Sequence, residues 1–99
     1  MRIRLDRSGG FAGIKLSTSV DTEELGAEQA GKIRNMVEGA AFFGLPETIK
    51  SARPMPDRFI YRIQVEEGSR AKVVEVDEAS LPDQLKPLVK HLVDAARKK

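Results

Sequence analysis

Catalysis needs a positioned nucleophile or an acid–base pair, and this 99-residue chain holds few groups able to supply one. It has no cysteine, which excludes a thiol nucleophile, a thiolate metal site and a disulfide framework. The one histidine, His91, follows Lys90 and lies off the leucine stripe of a predicted helix. It reads as an exposed helical side chain with no partner suggested. No His/Asp/Glu cluster has metal-ligand spacing. The acidic pair Glu23-Glu24 suits a helix start, and Glu66-Glu67 suits a solvated turn. Gly9-Gly10-Phe11-Ala12-Gly13 is not a phosphate loop, because a strand pattern follows it instead of a helix carrying Lys-Ser or Lys-Thr. The expectation is a protein that is not an enzyme and needs no cofactor.

Binding is the better prospect, and two stretches offer it. Arg7-Ser8-Gly9-Gly10-Phe11-Ala12-Gly13-Ile14 gathers three of the eight glycines and one of the four phenylalanines. Glycines there allow positive φ, or let another backbone come close. The stretch is either a turn joining two strands or a turn shaped to present Phe11. The second is Pro54-Met55-Pro56-Asp57, where each residue before a proline is pushed into extended conformations. It lies in a long aperiodic segment, 47–57, and loops of that length are often functional.

Bulk composition narrows the partner. Seventeen basic residues nearly balance fifteen acidic ones, for a net charge of +2, so no strong nucleic-acid signature appears. Of the one tyrosine and four phenylalanines, Phe42, Phe43, Phe59 and Tyr61 fall where a core needs them, which leaves Phe11. Arg58-Phe59-Ile60-Tyr61-Arg62-Ile63 lacks the Lys/Arg-Gly-aromatic spacing of an RNA-recognition strand. A basic-faced nucleic-acid or general interaction module is the alternative reading, and a nucleic-acid module would release its ligand steeply with salt. Charged Arg2 and Arg4 open the chain, and no apolar run has signal or membrane-spanning length. A cytoplasmic protein with no membrane partner is expected.

The elements that must position these stretches follow from periodicity. Residues 2–7 alternate, with Ile3 and Leu5 opposite Arg2, Arg4 and Asp6, which predicts a half-buried strand. Ser8-Gly9-Gly10 predicts a tight hairpin connection, and 11–20 the return strand, with a bulge at Gly13. Asp21 and Glu24 have capping-box spacing, and Leu25, Ile33, Val37 and Ala40/Ala41 recur near a 3.6 period. A helix over 22–42 is predicted, ended by Gly44-Leu45-Pro46. Residues 58–66 alternate, with Phe59, Tyr61, Ile63 and Val65 on one side. Glu66-Glu67-Gly68-Ser69 turns the chain into a partner strand over 70–76, whose inward face is ambiguous because Val73 and Val74 are adjacent. Ser80 is a candidate cap and Pro82 a first-turn residue for a last helix carrying Leu81, Leu85, Leu88 and Leu92. Pro87 predicts either a short first turn at 82–85 or a kink. Arg97, Lys98 and Lys99 suit the end of that helix.

The order is ββαββα in one domain, 1–99. The predicted class is α+β: a four-stranded antiparallel sheet with both helices packed on one face. The open face would carry Arg2, Arg4, Lys15, Arg58, Arg62, Gln64 and Glu66.

The Arg7–Ile14 block, Ala41-Phe42-Phe43-Gly44-Leu45-Pro46, Pro56-Asp57-Arg58-Phe59-Ile60-Tyr61-Arg62-Ile63 and Leu81-Pro82 with Leu85-Lys86-Pro87-Leu88 follow one another over nearly the whole chain. Together they resemble the emfourin family of small bacterial protein inhibitors of thermolysin-family metalloproteases, protealysin-like enzymes above all. The resemblance implies a cytoplasmic inhibitor whose target protease is often encoded beside it. It implies occlusion of the protease cleft by loops on one edge of the sheet, with no zinc chelation by His or Cys. Such a cleft holds a zinc ion and an S1′ pocket favouring bulky apolar side chains. Phe11 is then a plug or anchor, unless it is a core residue closing the sheet end. In Pro54-Met55-Pro56-Asp57 the prolines stiffen the loop and Met55 offers adaptable apolar contact; its plainer reading is a surface crossover. Asp57 either approaches zinc or an active-site arginine, or caps its own turn. The turn at Glu66, Gly68 and Ser69 is a third surface element, with a solvated hairpin end as the plainer reading. The candidate protease contacts are Ser8, Gly9, Gly10, Phe11, Ala12, Pro54, Met55, Pro56, Asp57 and Arg58. The free inhibitor is expected to be a monomer.

Overall fold

The computed structural model describes residues 1–9, 15–50 and 58–97. Apolar residues at every second position build its sheet. In β1 (Arg2–Gly9) Ile3 and Leu5 are fully buried while Arg2 and Arg4 are exposed. In β4 (Phe59–Glu67) Tyr61, Ile63 and Val65 are buried and Phe59 is half-buried. β2 (Leu16–Asp21) turns Thr18 inward, and β5 (Arg70–Asp77) turns Val74 and Val76 inward. The Val73/Val74 ambiguity is resolved by register, since Val74 stands opposite Ile63 and Val76 opposite Tyr61. Gly68 at φ +58 closes the β4–β5 hairpin in a two-residue turn, with Ser69 beside it.

The α+β class holds, and the sheet differs in detail. Between α1 (Ala27–Gly39) and β4 lies β3 (Thr48–Ile49), which pairs in parallel with β5. The sheet is therefore mixed and five-stranded, ordered β2-β1-β4-β5-β3, not four-stranded and antiparallel. A two-residue strand carries no period for sequence reading to detect. Ser8 and Gly9 continue β1 instead of forming a turn. The return strand is described from Leu16, while Gly10, Phe11, Ala12, Ile14 and the expected bulge at Gly13 lie outside the described residues, as do Lys98 and Lys99.

The helices are shorter than their periodic patterns. Asp21 does cap, its Oδ1 accepting the Glu23 N–H at 3.0 Å, but it caps a 3-10 turn at Thr22–Glu24. Leu25 and Gly26 are extended, so α1 starts at Ala27. α1 stops before Ala41, whose φ of 50 and ψ of 46 are left-handed. A second 3-10 turn, Phe42–Gly44, follows. Ser80 does not cap the last helix. It ends a 3-10 turn capped by Asp77, whose Oδ1 accepts from Ala79 N–H at 2.8 Å. After another turn at Asp83–Leu85, α2 (Lys86–Arg97) runs with Pro87 in its first turn, where the missing N–H is harmless.

The core lies between the helices and one sheet face. Ile33 and Val37 of α1 and Leu88, Val89, Leu92 and Val93 of α2 join the inward strand residues in a single cluster with Ala40, Phe42 and Leu85. Each fully buried Leu or Ile contributes about 1.5–3 kcal/mol. His91 is half-buried on α2, not exposed, because it flanks this stripe.

Ala41 is exposed and is the one non-glycine residue with positive φ among the described residues. Ala41→Gly should remove the Cβ strain and raise stability by about 0.5–1 kcal/mol after glycine's own entropic cost. Thermal unfolding checks this, with an expected rise of roughly 4 °C.

Candidate functional site

Two strands bring the candidate segments to one place. The last residue of β1, Gly9, stands opposite Phe59, the first residue of β4. Lys15 leads into β2 beside them, because Leu16 pairs with Arg7. The described residues flanking 10–14 and 51–57 on the β4 side thus converge at one end of the sheet. Of the candidate contacts, Ser8, Gly9 and Arg58 are brought together there. Gly10, Phe11, Ala12, Pro54, Met55, Pro56 and Asp57 lie outside the described residues.

Gly9 is a backbone necessity at this end. Its φ is +93, and a Cβ built on it would lie 2.5 Å from the Arg58 carbonyl oxygen. Both properties of glycine, positive φ and close approach, are used at this one position. Phe59 N–H donates to Glu78 Oε1 at 3.2 Å, which pins the start of β4 to the turn after β5.

Beneath this end, on the core side, Arg7 lays its guanidinium over the Phe59 ring, 4.2 Å from the centroid. Its Nε is buried and has no partner among the described residues. Desolvation pushes the Tyr61 phenol above its ordinary pKa, and Glu78 adds to the rise, while Arg7 opposes it. Sequence alternation points Arg7 inward with Ile3 and Leu5, a signal overridden by its charge. The ring contact shows how the sheet tolerates it.

The opposite face is open and mostly self-paired in charge. Arg2, Arg4, Arg62, Gln64 and Glu66 occupy it as expected, with Asp6, Ser17 and Glu75 added. Lys15 is exposed beside that face, and Arg58, just before β4, is half-buried like Gln64 and Glu66. A shallow groove of about 530 Å³ is lined by Arg4, Asp6, Lys15, Ile60, Arg62 and Glu75 among others. Asp6 accepts from Arg4 Nε at 3.0 Å and Ser17 Oγ at 2.7 Å. The Arg4 hydrogen bond first, then the Ser17 one, hold its carboxyl below the usual carboxylate range against the cost of burial. Lys50 Nζ lies 3.2 Å from Glu75 Oε1. Ile60, beside Ser8 at the same end, is the exposed large hydrophobic among the described residues. Its alternation gave the outward direction, but nothing in the sequence marked it as a surface feature.

Among the described residues, no group of three His, Cys, Asp or Glu is placed to hold a metal ion. No helix among them is long and apolar enough to cross a membrane.

Compared with known proteins, the chain matches the family model Emfourin over residues 5–93. That span covers β1 from Leu5 through most of α2 and includes both candidate segments. No curated protein and no solved structure matches it.

Two outcomes follow from the geometry. Gly9→Ala should cost about 2 kcal/mol or more, because the new Cβ meets backbone and not a movable side chain. Denaturant unfolding measures it; an unchanged midpoint would contradict the close approach. For Asp6, the folded pKa lies below the unfolded one, so its contribution is complete above about pH 4 and is lost as pH falls through the lower folded value. Asp6→Asn should therefore be less stable than wild type at pH 7, by at most about 1 kcal/mol for so exposed a cluster. The gap should shrink as pH is lowered below the ordinary carboxylate value of about 4 in the same unfolding assay.

Proposed function

The chain belongs to the emfourin family, and from that premise we propose that it inhibits zinc metalloproteases of the thermolysin type, protealysin-like enzymes in particular. The family name supports an inhibitor with a protease as partner, and not an enzyme. The observation that carries the finer reading is the convergence of the two candidate segments' stems, Gly9 against Phe59, at one sheet end. Attachment points held side by side on β1 and β4 lower the entropic cost of presenting both segments to one cleft, and that is what an inhibitor needs.

In this reading the sheet end faces the protease cleft and blocks substrate entry. Phe11 and Met55 supply apolar side chains for pockets that favour bulky groups. Ser8, Gly9, Gly10, Ala12, Pro54, Pro56, Asp57 and Arg58 are the further proposed contacts. No group of the inhibitor needs to ligate the zinc, since exclusion of substrate suffices. The proposed place of action is the cytoplasm.

Peptide hydrolysis by a purified protealysin-like protease tests this directly. Added inhibitor should raise the apparent KM and leave kcat unchanged. Phe11→Ala and Met55→Ala should each weaken inhibition about tenfold or more, as removal of a buried anchor does at other interfaces, with circular dichroism unchanged. Full protease activity at large inhibitor excess, across several such enzymes, would end the proposal.

A further inference from the structure

The two edges of the sheet are not alike. One edge, β3, has only two residues and is followed by Lys50, and short, charged edges resist pairing with other chains. The other edge, β2, runs Leu16-Ser17-Thr18-Ser19-Val20 with no charge and no proline before Asp21. β2 stands first in the sheet and pairs only with β1. Among the described residues its outer backbone groups have no partner.

The strand is also complementary to itself. Laid antiparallel on a second copy with Thr18 opposite Thr18, it sets Ser17 against Ser19 and Leu16 against Val20. The same register sets Lys15 against Asp21, once at each end. Faces match as well: Ser17 and Ser19 lie on the open face, and Leu16, Thr18 and Val20 on the core face. Shifted registers lose the Lys15–Asp21 match. At the two-fold axis Thr18 stands opposite its counterpart, and Thr–Thr pairs across strands are favourable.

We propose that β2 is a self-association edge, along which two copies of this chain pair antiparallel about Thr18 to form one continuous sheet. Sequence reading alone pointed to a monomer. The structure supplies an edge that no other described strand pairs, with Lys15 and Asp21 at matching positions, Asp21 also lying 4.0 Å from Arg2. A single edge of this length lies at or below the low end of specific interfaces, about 1,200 Å², so the pairing is reversible and concentration-dependent. Antiparallel pairing sends the two Gly9 ends in opposite directions, so each copy keeps that end free. The proposal does not depend on the inhibitor reading, and its test needs no protease.

Sedimentation of the full chain from about 10 µM to about 1 mM should show the average mass climbing toward twice the monomer value. Amide hydrogen exchange at Leu16–Val20 should slow over the same range. Lys15→Asp should weaken the association about tenfold, because symmetry counts each mismatch twice. Asp21→Lys should do the same. A mixture of the two variants should associate, since a mixed pair sets opposite charges against each other at both ends of the strand. Asp21 also caps the 3-10 turn after β2, so its variant is checked for folding by circular dichroism, and Lys15→Asp alone suffices if it fails. Constant monomer mass through the range would overturn the proposal. So would a Lys15→Asp chain that associates as well as wild type, or edge amides that become protected only when a protease is added.

Discussion

The antiparallel pairing of β1 with β4 is the constraint on which the rest of the molecule depends. β1 and β4 are interior strands, so every other strand is placed through them. Their register runs without interruption from Arg2 opposite Glu66 to Gly9 opposite Phe59. It puts Leu5 beside Ile63 and Ile3 beside Val65, the fully buried centre of the core. It also ends in the tightest backbone approach at any described glycine, Gly9 to the Arg58 carbonyl. Core and candidate binding end are therefore two parts of one ladder. A one-residue slip would turn Leu5 outward and separate the stems together.

Arginine finishes the core at both ends of that ladder. Arg7 covers Phe59 at the Gly9 end, and Arg70 covers Phe43 at the hairpin end, 4.3 Å from the ring centroid. Each phenylalanine is half-buried, in contrast to Phe42, which is almost wholly enclosed and meets Phe43 edge-on. The sheet is longer than the two helices can roof. Planar guanidinium groups cover aromatic faces there while staying near water. This accounts for two basic residues on the core side of β1 and β5 that alternation alone makes look misplaced.

Much of this was legible in the sequence. Alternation at Ile3 and Leu5, and at Tyr61, Ile63 and Val65, predicted the strands and their buried faces, and the leucine stripe predicted α2. What escaped has identifiable causes. β3 is too short to show a period, so the mixed character of the sheet was invisible. Asp21 reads as a cap in the sequence and is one, but of the 3-10 turn and not of α1, because Gly26 separates the two. Ala41 takes a left-handed conformation that sequence convention reserves for glycine. For the candidate site, the glycine stretch and Arg58 were marked from sequence. The role of Gly9 as a point of backbone contact, and the positions of Arg7 and Ile60, depend on a pairing between residues distant in the chain.

That distance has a kinetic meaning. The β1–β2 and β4–β5 ladders are local hairpins, whereas the β1–β4 partners are separated by fifty to sixty-four residues of chain. Closing so long a loop costs roughly 2 kcal/mol more entropy than closing a hairpin of a few residues. Long-range strand pairing of this kind slows folding relative to a domain built from local contacts. The hairpins can form early, but neither alone brings Gly9 to Arg58. The surface at that end therefore comes into existence in the same late step that completes the sheet, and a partly folded chain presents none of it.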